Sequence, residues 1–333
     1  MRIFTAVFFC VLFFTGNILT AKAMHLFLAG DTEDELLRFS SRKDCENVET
    51  VFSYIAEQCR VPLYTRKITS TDKTLTTAHL EACVQEANVA PNDVIIFYFT
   101  GHGDRSAKHT QMIWPRMRFS DCKVDAEKTI EKLFSKRAAL TIVLFDCCNT
   151  FVSKSSDSRT IKSFQLKRSN DPRVAANFRK LFFKRCGVLI ISAAAPGEAA
   201  GGDSDRHVTH LVFPSKEFIP SRGSYLTNGF FNSLIEEVGL PSPHWRSIFK
   251  KTKKICYNGS KKENKPYDEG PQTPQYVILI GSKKKEVREY LRYLQKHCIY
   301  RKGHHSKDLA EESHFPEKVR QSVYFEQQFF CDE

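Results

Sequence analysis

Two short, nearly unbroken apolar runs constrain this chain more than anything else in it: Val94-Ile-Ile-Phe-Tyr-Phe and Leu140-Thr-Ile-Val-Leu-Phe. A strand with one wet face alternates apolar and polar residues. A run apolar at every position must be covered on both sides, as in a parallel sheet between two layers of helices. Four more segments read as strands, Met24 to Ala29, Leu63 to Thr69, Gly187 to Ser192 and Gln275 to Ile280, giving six. Helical patterns separate them. Val48, Val51, Phe52, Ile55 and Cys59 share one helix face, and Leu80, Cys83, Val84 and Ala87 share another. Further helices are expected at residues 125–136, 173–183, 226–238, 244–255 and 285–296. Strands alternating with helices predict an α/β chain, a three-layer αβα sandwich around a six-stranded, mostly parallel sheet. With 333 residues and 41% hydrophobic content it can bury one large core. Asn149 to Asp171 and Tyr257 to Pro271 read as loops, and Arg301 to Glu333 as a polar tail.

The N-terminus has a different character. Arg2, an apolar run from Ile3 to Phe14, then Ala21-Lys22-Ala23 follow the layout of a secretory signal peptide. The expected organisation is a signal over 1–23, a folded domain over 24–282 and a C-terminal helix and tail over 283–333. Export to the periplasm or the medium follows, with retention as an uncleaved membrane anchor as the alternative. The apolar part is shorter than the roughly 20 residues of a spanning helix, and no later stretch is apolar enough to span. Loss of Arg2 and Lys22 takes the formal charge from +12 to +10. The remaining lysines are scattered in short runs that read as solvated surface, so no nucleic-acid partner is expected. Of 11 cysteines Cys10 leaves with the signal. If one of the rest is a free nucleophile, an odd number remains and a complete disulfide framework is excluded. No C-x-x-C pair marks a zinc or redox site, and neither a metal nor a cofactor is expected.

Open parallel sheets gather their chemistry beyond the carboxyl ends of the strands. The third strand runs into Gly101-His102-Gly103-Asp104 and the fourth into Asp146-Cys147-Cys148-Asn149. An imidazole and a thiol delivered from one sheet edge form a base and nucleophile pair. Strand alternation puts Asp146 and Cys148 on one side and turns Cys147 into the packing. A glycine after the histidine leaves room for a carbonyl oxygen near the backbone, with the amides of Gly103 and Cys148 as oxyanion donors. The adjacent Cys147 and Cys148 also raise the idea of a vicinal disulfide acting as a redox lock.

The His102-Gly103 and Asp146-x-Cys148 strand ends, Gly223-Ser224-Tyr225 before a helix, and Gln272-Thr273-Pro274-Gln275 before the last strand occur in an order that resembles the caspase-like cysteine peptidases. The resemblance is greatest to metacaspases, paracaspases and their bacterial relatives, and covers roughly Met24 to Gly281. It implies Cys148 as nucleophile, His102 as acid and base, and an acidic first specificity pocket made by Asp146, Asp44 at the start of the first helix, and Glu198. Carboxylates in a desolvated pocket bind a guanidinium through charge-assisted hydrogen bonds, so the expected substrates are polypeptides cut after Arg or Lys. Relatives are commonly cut in the loop after the nucleophile, where Arg159, Lys162, Lys167, Arg168 and Arg173 are candidate self-cleavage positions. Asn149-Thr150-Phe151 departs from the His-Ser-Gly that follows the nucleophile in metacaspases, and residues 104–139 lack an aspartate cluster, so no calcium requirement is expected. A catalytically silent caspase-fold interaction module and a legumain-like or gingipain-like peptidase are the alternative readings.

Overall fold

The computed structural model describes residues 22–105, 113–150, 164, 166, 168–201, 223–261, 271–296 and 323–328. In chain order the elements are β1 (Met24–Gly30), α1 (Arg38–Cys59), β2 (Leu63–Thr69), α2 (Thr77–Glu86), β3 (Val94–Thr100), β4 (Gly103–Asp104), β5 (Arg116–Arg118), β6 (Lys123–Asp125), α3 (Ala126–Ser135), β7 (Leu140–Asp146), α4 (Pro172–Phe183), β8 (Cys186–Ser192), α5 (Tyr225–Val238), α6 (Trp245–Lys261), β9 (Gln275–Gly281), α7 (Lys284–Lys296) and β10 (Val323–Gln328).

The main sheet has seven strands in the order β10-β9-β8-β7-β3-β1-β2, with β4, β5 and β6 forming a small antiparallel sheet apart from it. Strands β2, β1, β3, β7 and β8 run parallel, while β9 lies antiparallel to β8 and β10 antiparallel to β9. All six expected strands are present. The seventh, β10, comes from the tail that the sequence left without a role. The expected loop at Tyr257 is also corrected, because α6 continues to Lys261.

Strand alternation divides the core. Val94, Ile96 and Tyr98 of β3 and Leu140, Ile142 and Leu144 of β7 face a cluster with residues from α1, α4, α5 and α6. Ile95, Phe97 and Phe99, with Val143, Phe145 and Cys147, face the opposite cluster with α2 and α3. This is the αβα sandwich that unbroken apolar strands require. Aromatic rings fill the first layer edge to face: Phe52 meets Phe182 and Phe231, and Trp245 meets Phe182 and Phe249.

One boundary differs from the sequence reading. Helix α1 begins at Arg38, so Asp44 lies in its second turn and not at its start. Ala23, assigned to the leader, is buried; its N–H donates to Asp93 Oδ1 at 2.9 Å and its carbonyl accepts from Val94 N–H at 2.9 Å.

Candidate active site

Thr100 at the end of β3 is the register partner of Asp146 at the end of β7. His102 and Cys148 therefore lie at the same offset, two residues past adjacent parallel strands. Both line one small cavity of about 30 Å³ together with Asp44, Asp146, Gly201 and Ser224. Such a space holds a water or two.

The cavity is acidic. Asp44 is 1% exposed and Asp146 5%. Three hydroxyls converge on Asp146 Oδ2: Thr227 Oγ1 at 2.7 Å, Tyr98 at 3.2 Å and Ser224 Oγ. Asp44 Oδ1 accepts the Ser224 N–H at 2.9 Å, while its Oδ2 is buried with no hydrogen-bond partner. Burial pushes both carboxyls up, and Asp44 further, because the neighbouring Asp146 adds like-charge repulsion and fewer donors compensate.

Local backbone explains the placement. Ser224 caps α5, its side chain accepting from Thr227 N–H, so the positive end of that helix faces both acids. Gly223 has φ +82°, and a Cβ there would stand 2.3 Å from Asp44 Oδ1. A Cβ on Gly103 would stand 2.3 Å from the Cys148 carbonyl oxygen and 2.6 Å from Cys147 Sγ. The bare backbone beside His102 therefore lets β4 close onto the turn that carries Cys147 and Cys148.

Cys147 is 1% exposed and packs in the α2–α3 layer, whereas Cys148 borders the cavity. Both thiols are free, so the vicinal disulfide expected as a redox lock is not formed. The Ala200 N–H lies 3.3 Å from Cys148 Sγ and ties the sulfur to the loop after β8.

Glu198 does not line the acidic cavity. Its carboxylate accepts from Ala195 N–H at 3.0 Å and Thr273 N–H at 2.6 Å and so braces the loop. The Gln-Thr-Pro-Gln segment works with it, since Gln272 Oε1 accepts the Gly201 N–H at 2.8 Å. Among the residues that the sequence did not mark, Asn149 is fully buried. Its side chain donates to the Ile113 carbonyl at 2.8 Å, and its main chain exchanges bonds with Gly197 and Glu198. Asp34 also went unmarked; its Oδ2 lies 3.1 Å from His102 Nε2.

Of the candidate self-cleavage positions, Arg159, Lys162 and Lys167 lie outside the described residues. Arg168 is exposed beside Glu57, at 3.5 Å. Arg173 sits in the first turn of α4 with its guanidinium on Asp171 at 2.8 Å, in helical and not extended backbone. Among the described residues no cluster of three or more ligating side chains is arranged to hold a metal ion.

A family model for the caspase domain of the C14 peptidases matches residues 35–281. Among solved structures, caspase-1 from Spodoptera frugiperda aligns at 10% identity and a TM-score of 0.45, covering 77% of this chain and 88% of that one. A protein from Geobacter sulfurreducens aligns at 14% identity and a TM-score of 0.43, covering 77% and 92%. Comparison with curated protein sequences gives no match. With its sandwich fold and a family match running from before α1 through the end of β9, the chain belongs to the caspase domain family of cysteine peptidases.

Proposed function

We propose that the chain is an endopeptidase that cuts after Arg or Lys, with Cys148 as nucleophile and His102 as acid and base. The observation that carries this reading is the buried pair Asp44 and Asp146 in the same cavity as the thiol and the imidazole, with one Asp44 oxygen lacking any partner. A buried acid pair with no cation beside it among the described residues is unfavourable by itself, and an entering guanidinium supplies charge and donors. The thiolate attacks the scissile carbonyl, the amides of Gly103 and Cys148 receive the oxyanion, and His102 protonates the leaving amine before water releases the thioester. Burial raises both carboxyls, so binding of a cation weakens as the pH falls and they take up protons.

Peptides ending in Arg, Lys or Asp, assayed with the wild type, Cys148→Ala, Asp44→Asn and Asp146→Asn, test the proposal. Cleavage after Arg and Lys only, abolished in Cys148→Ala and lowered about 100-fold in the acid variants, is expected. Cleavage after Asp, or activity surviving in Cys148→Ala, contradicts it. A silent interaction module is the second reading, favoured by the narrow cavity and by the Ala200 N–H held against the sulfur; total inactivity towards all three peptides would select it.

Self-processing in the loop after the nucleophile belongs to the same proposal, with Arg168 and Arg173 the exposed described positions. Mass spectrometry of the wild type should show such cuts and Cys148→Ala should lack them. Export through the N-terminal segment is also proposed. Because both main-chain groups of Ala23 are bonded within the fold, N-terminal sequencing of exported protein should begin at Ala23 or earlier.

A further inference from the structure

A base that must accept a thiol proton needs its ring fixed and its tautomer chosen. His102 sits on a turn, and the group that meets its Nε2 is the carboxylate of Asp34, in the segment between β1 and α1, at 3.1 Å. Asp34 is itself immobilised. Its Oδ1 accepts the Leu36 N–H at 2.9 Å and the Leu37 N–H at 3.2 Å, and its carbonyl accepts the Arg38 N–H at 2.8 Å. One oxygen holds the turn that leads into α1, and the other lies within ion-pair distance of the imidazole, which a small rotation of the ring would bring into line. The two side chains are 18% and 20% exposed, far from the solvated geometry in which surface ion pairs contribute little.

We propose that Asp34 is the positioning residue of the catalytic pair. Its carboxylate accepts the Nε2–H of His102, which keeps the basic lone pair on Nδ1. It also stabilises the imidazolium formed when Nδ1 takes the Cys148 proton. Sulfur then bonds to the carbonyl carbon as the carbonyl π pair moves to oxygen. Collapse breaks the C–N bond, and the amine leaves with the proton from Nδ1. Water gives a proton to Nδ1 as its oxygen bonds to the thioester carbon, collapse then breaks the C–S bond and releases the acid, and the Nδ1 proton returns to sulfur. The inference rests on the reading of Cys148 and His102 given above, and its test separates the two.

Asp34→Asn retains a carbonyl oxygen for the Leu36 and Leu37 amides but can set an NH2 group against Nε2, which favours the opposite tautomer. The rate of Cys148 alkylation by iodoacetamide, located by peptide mapping, is measured from about pH 5 to 10 for the wild type, Asp34→Asn, Asp34→Ala and His102→Ala. This readout needs no peptide substrate. Asp34→Asn should slow alkylation roughly 10-fold near pH 6 and leave it unchanged near pH 10, where the thiol ionises without help. With the preferred peptide, kcat should fall about 10–100-fold and KM by less than about 3-fold, at an unchanged melting temperature. A wild-type pH profile in Asp34→Asn, with only Asp34→Ala impaired, would reduce Asp34 to a brace of the turn and overturn the inference. If His102→Ala itself alkylates like the wild type, the paired reading of His102 and Cys148 fails and the inference falls with it.

Discussion

Asp44 is held where water cannot solvate a charge, and its stability consequence has a definite sign. Its carboxyl in the folded chain sits well above the ordinary value of 3.8, first because it is buried and second because Asp146 faces it. The folded state therefore binds a proton that the unfolded state has already lost. The associated stability is complete below the unfolded value and is lost as the pH rises through the folded one. Asp44→Asn keeps an oxygen for the Ser224 N–H and removes the ionisation. It should be more stable than the wild type at pH 8, by about 1–2 kcal/mol or a few degrees in melting temperature, and equal to it near pH 4. Thermal unfolding at the two pH values checks this, and a variant less stable than the wild type at pH 8 would mean that Asp44 is already compensated. Gly103→Ala probes the neighbouring contact: a methyl 2.3 Å from the Cys148 carbonyl oxygen forces the nucleophile turn away, and Cys148 alkylation at pH 7 should change at least about 10-fold. At this scale His102 and Cys148 were legible because each stands at an equal offset past an unbroken apolar strand. Asp34 and Asn149 were not, because their partners are distant in sequence and neither stands in a periodic pattern.

Helix α1 and strand β10 are the elements whose limits the sequence concealed, for different physical reasons. The first turns of α1 carry Arg38, Ser40, Ser41 and Lys43, which show no apolar stripe because Ser40, Ser41 and Asp44 border the acidic cavity and not the core. Helical periodicity is visible only where a helix packs on apolar neighbours, so the reading began at Val48. Strand β10 hides in a polar tail because its partner β9 is remote and its composition, Val323 to Gln328, is half polar. Its pairing nevertheless covers the edge of β9 from Tyr276 to Gly281, and Glu326 joins it to the Tyr276 hydroxyl and to Arg246. Removing residues 320–333 would leave the apolar run Tyr276-Val-Ile-Leu-Ile with open backbone donors and acceptors, a template for pairing with other chains. The truncated protein should show a melting temperature lower by several degrees and concentration-dependent oligomers in size-exclusion chromatography. A monodisperse truncation with unchanged stability would show that β10 adds nothing to the sheet.

Over the whole molecule the sheet sorts the thiols by face, and their reactivity should follow. Cys45, Cys59 and Cys256 lie in the layer with α1, α4, α5 and α6, Cys83 and Cys147 in the opposite layer, and Cys186 in a smaller cluster beside β9 and α7. Burial pushes the Cys59 thiol up to about 12 and holds those of Cys45, Cys147 and Cys256 well above the ordinary thiol range. None of the eight described cysteines is paired. The sequence argument from an odd remainder pointed the same way, yet it could not say which thiols are protected, because that depends on the assembled layers. Among the described cysteines only Cys122, exposed in the hairpin between β5 and β6, and Cys148, at the cavity, are open to a reagent. Native protein treated with N-ethylmaleimide at pH 7 should be modified at Cys122 and Cys148 within minutes. The six buried thiols react only through opening of the core, so their rates should be slower by orders of magnitude and should rise together as urea approaches the unfolding midpoint. Early modification of Cys147 would mean that the nucleophile turn opens independently of the core. A disulfide joining any of the six in exported protein would require a different arrangement of both layers.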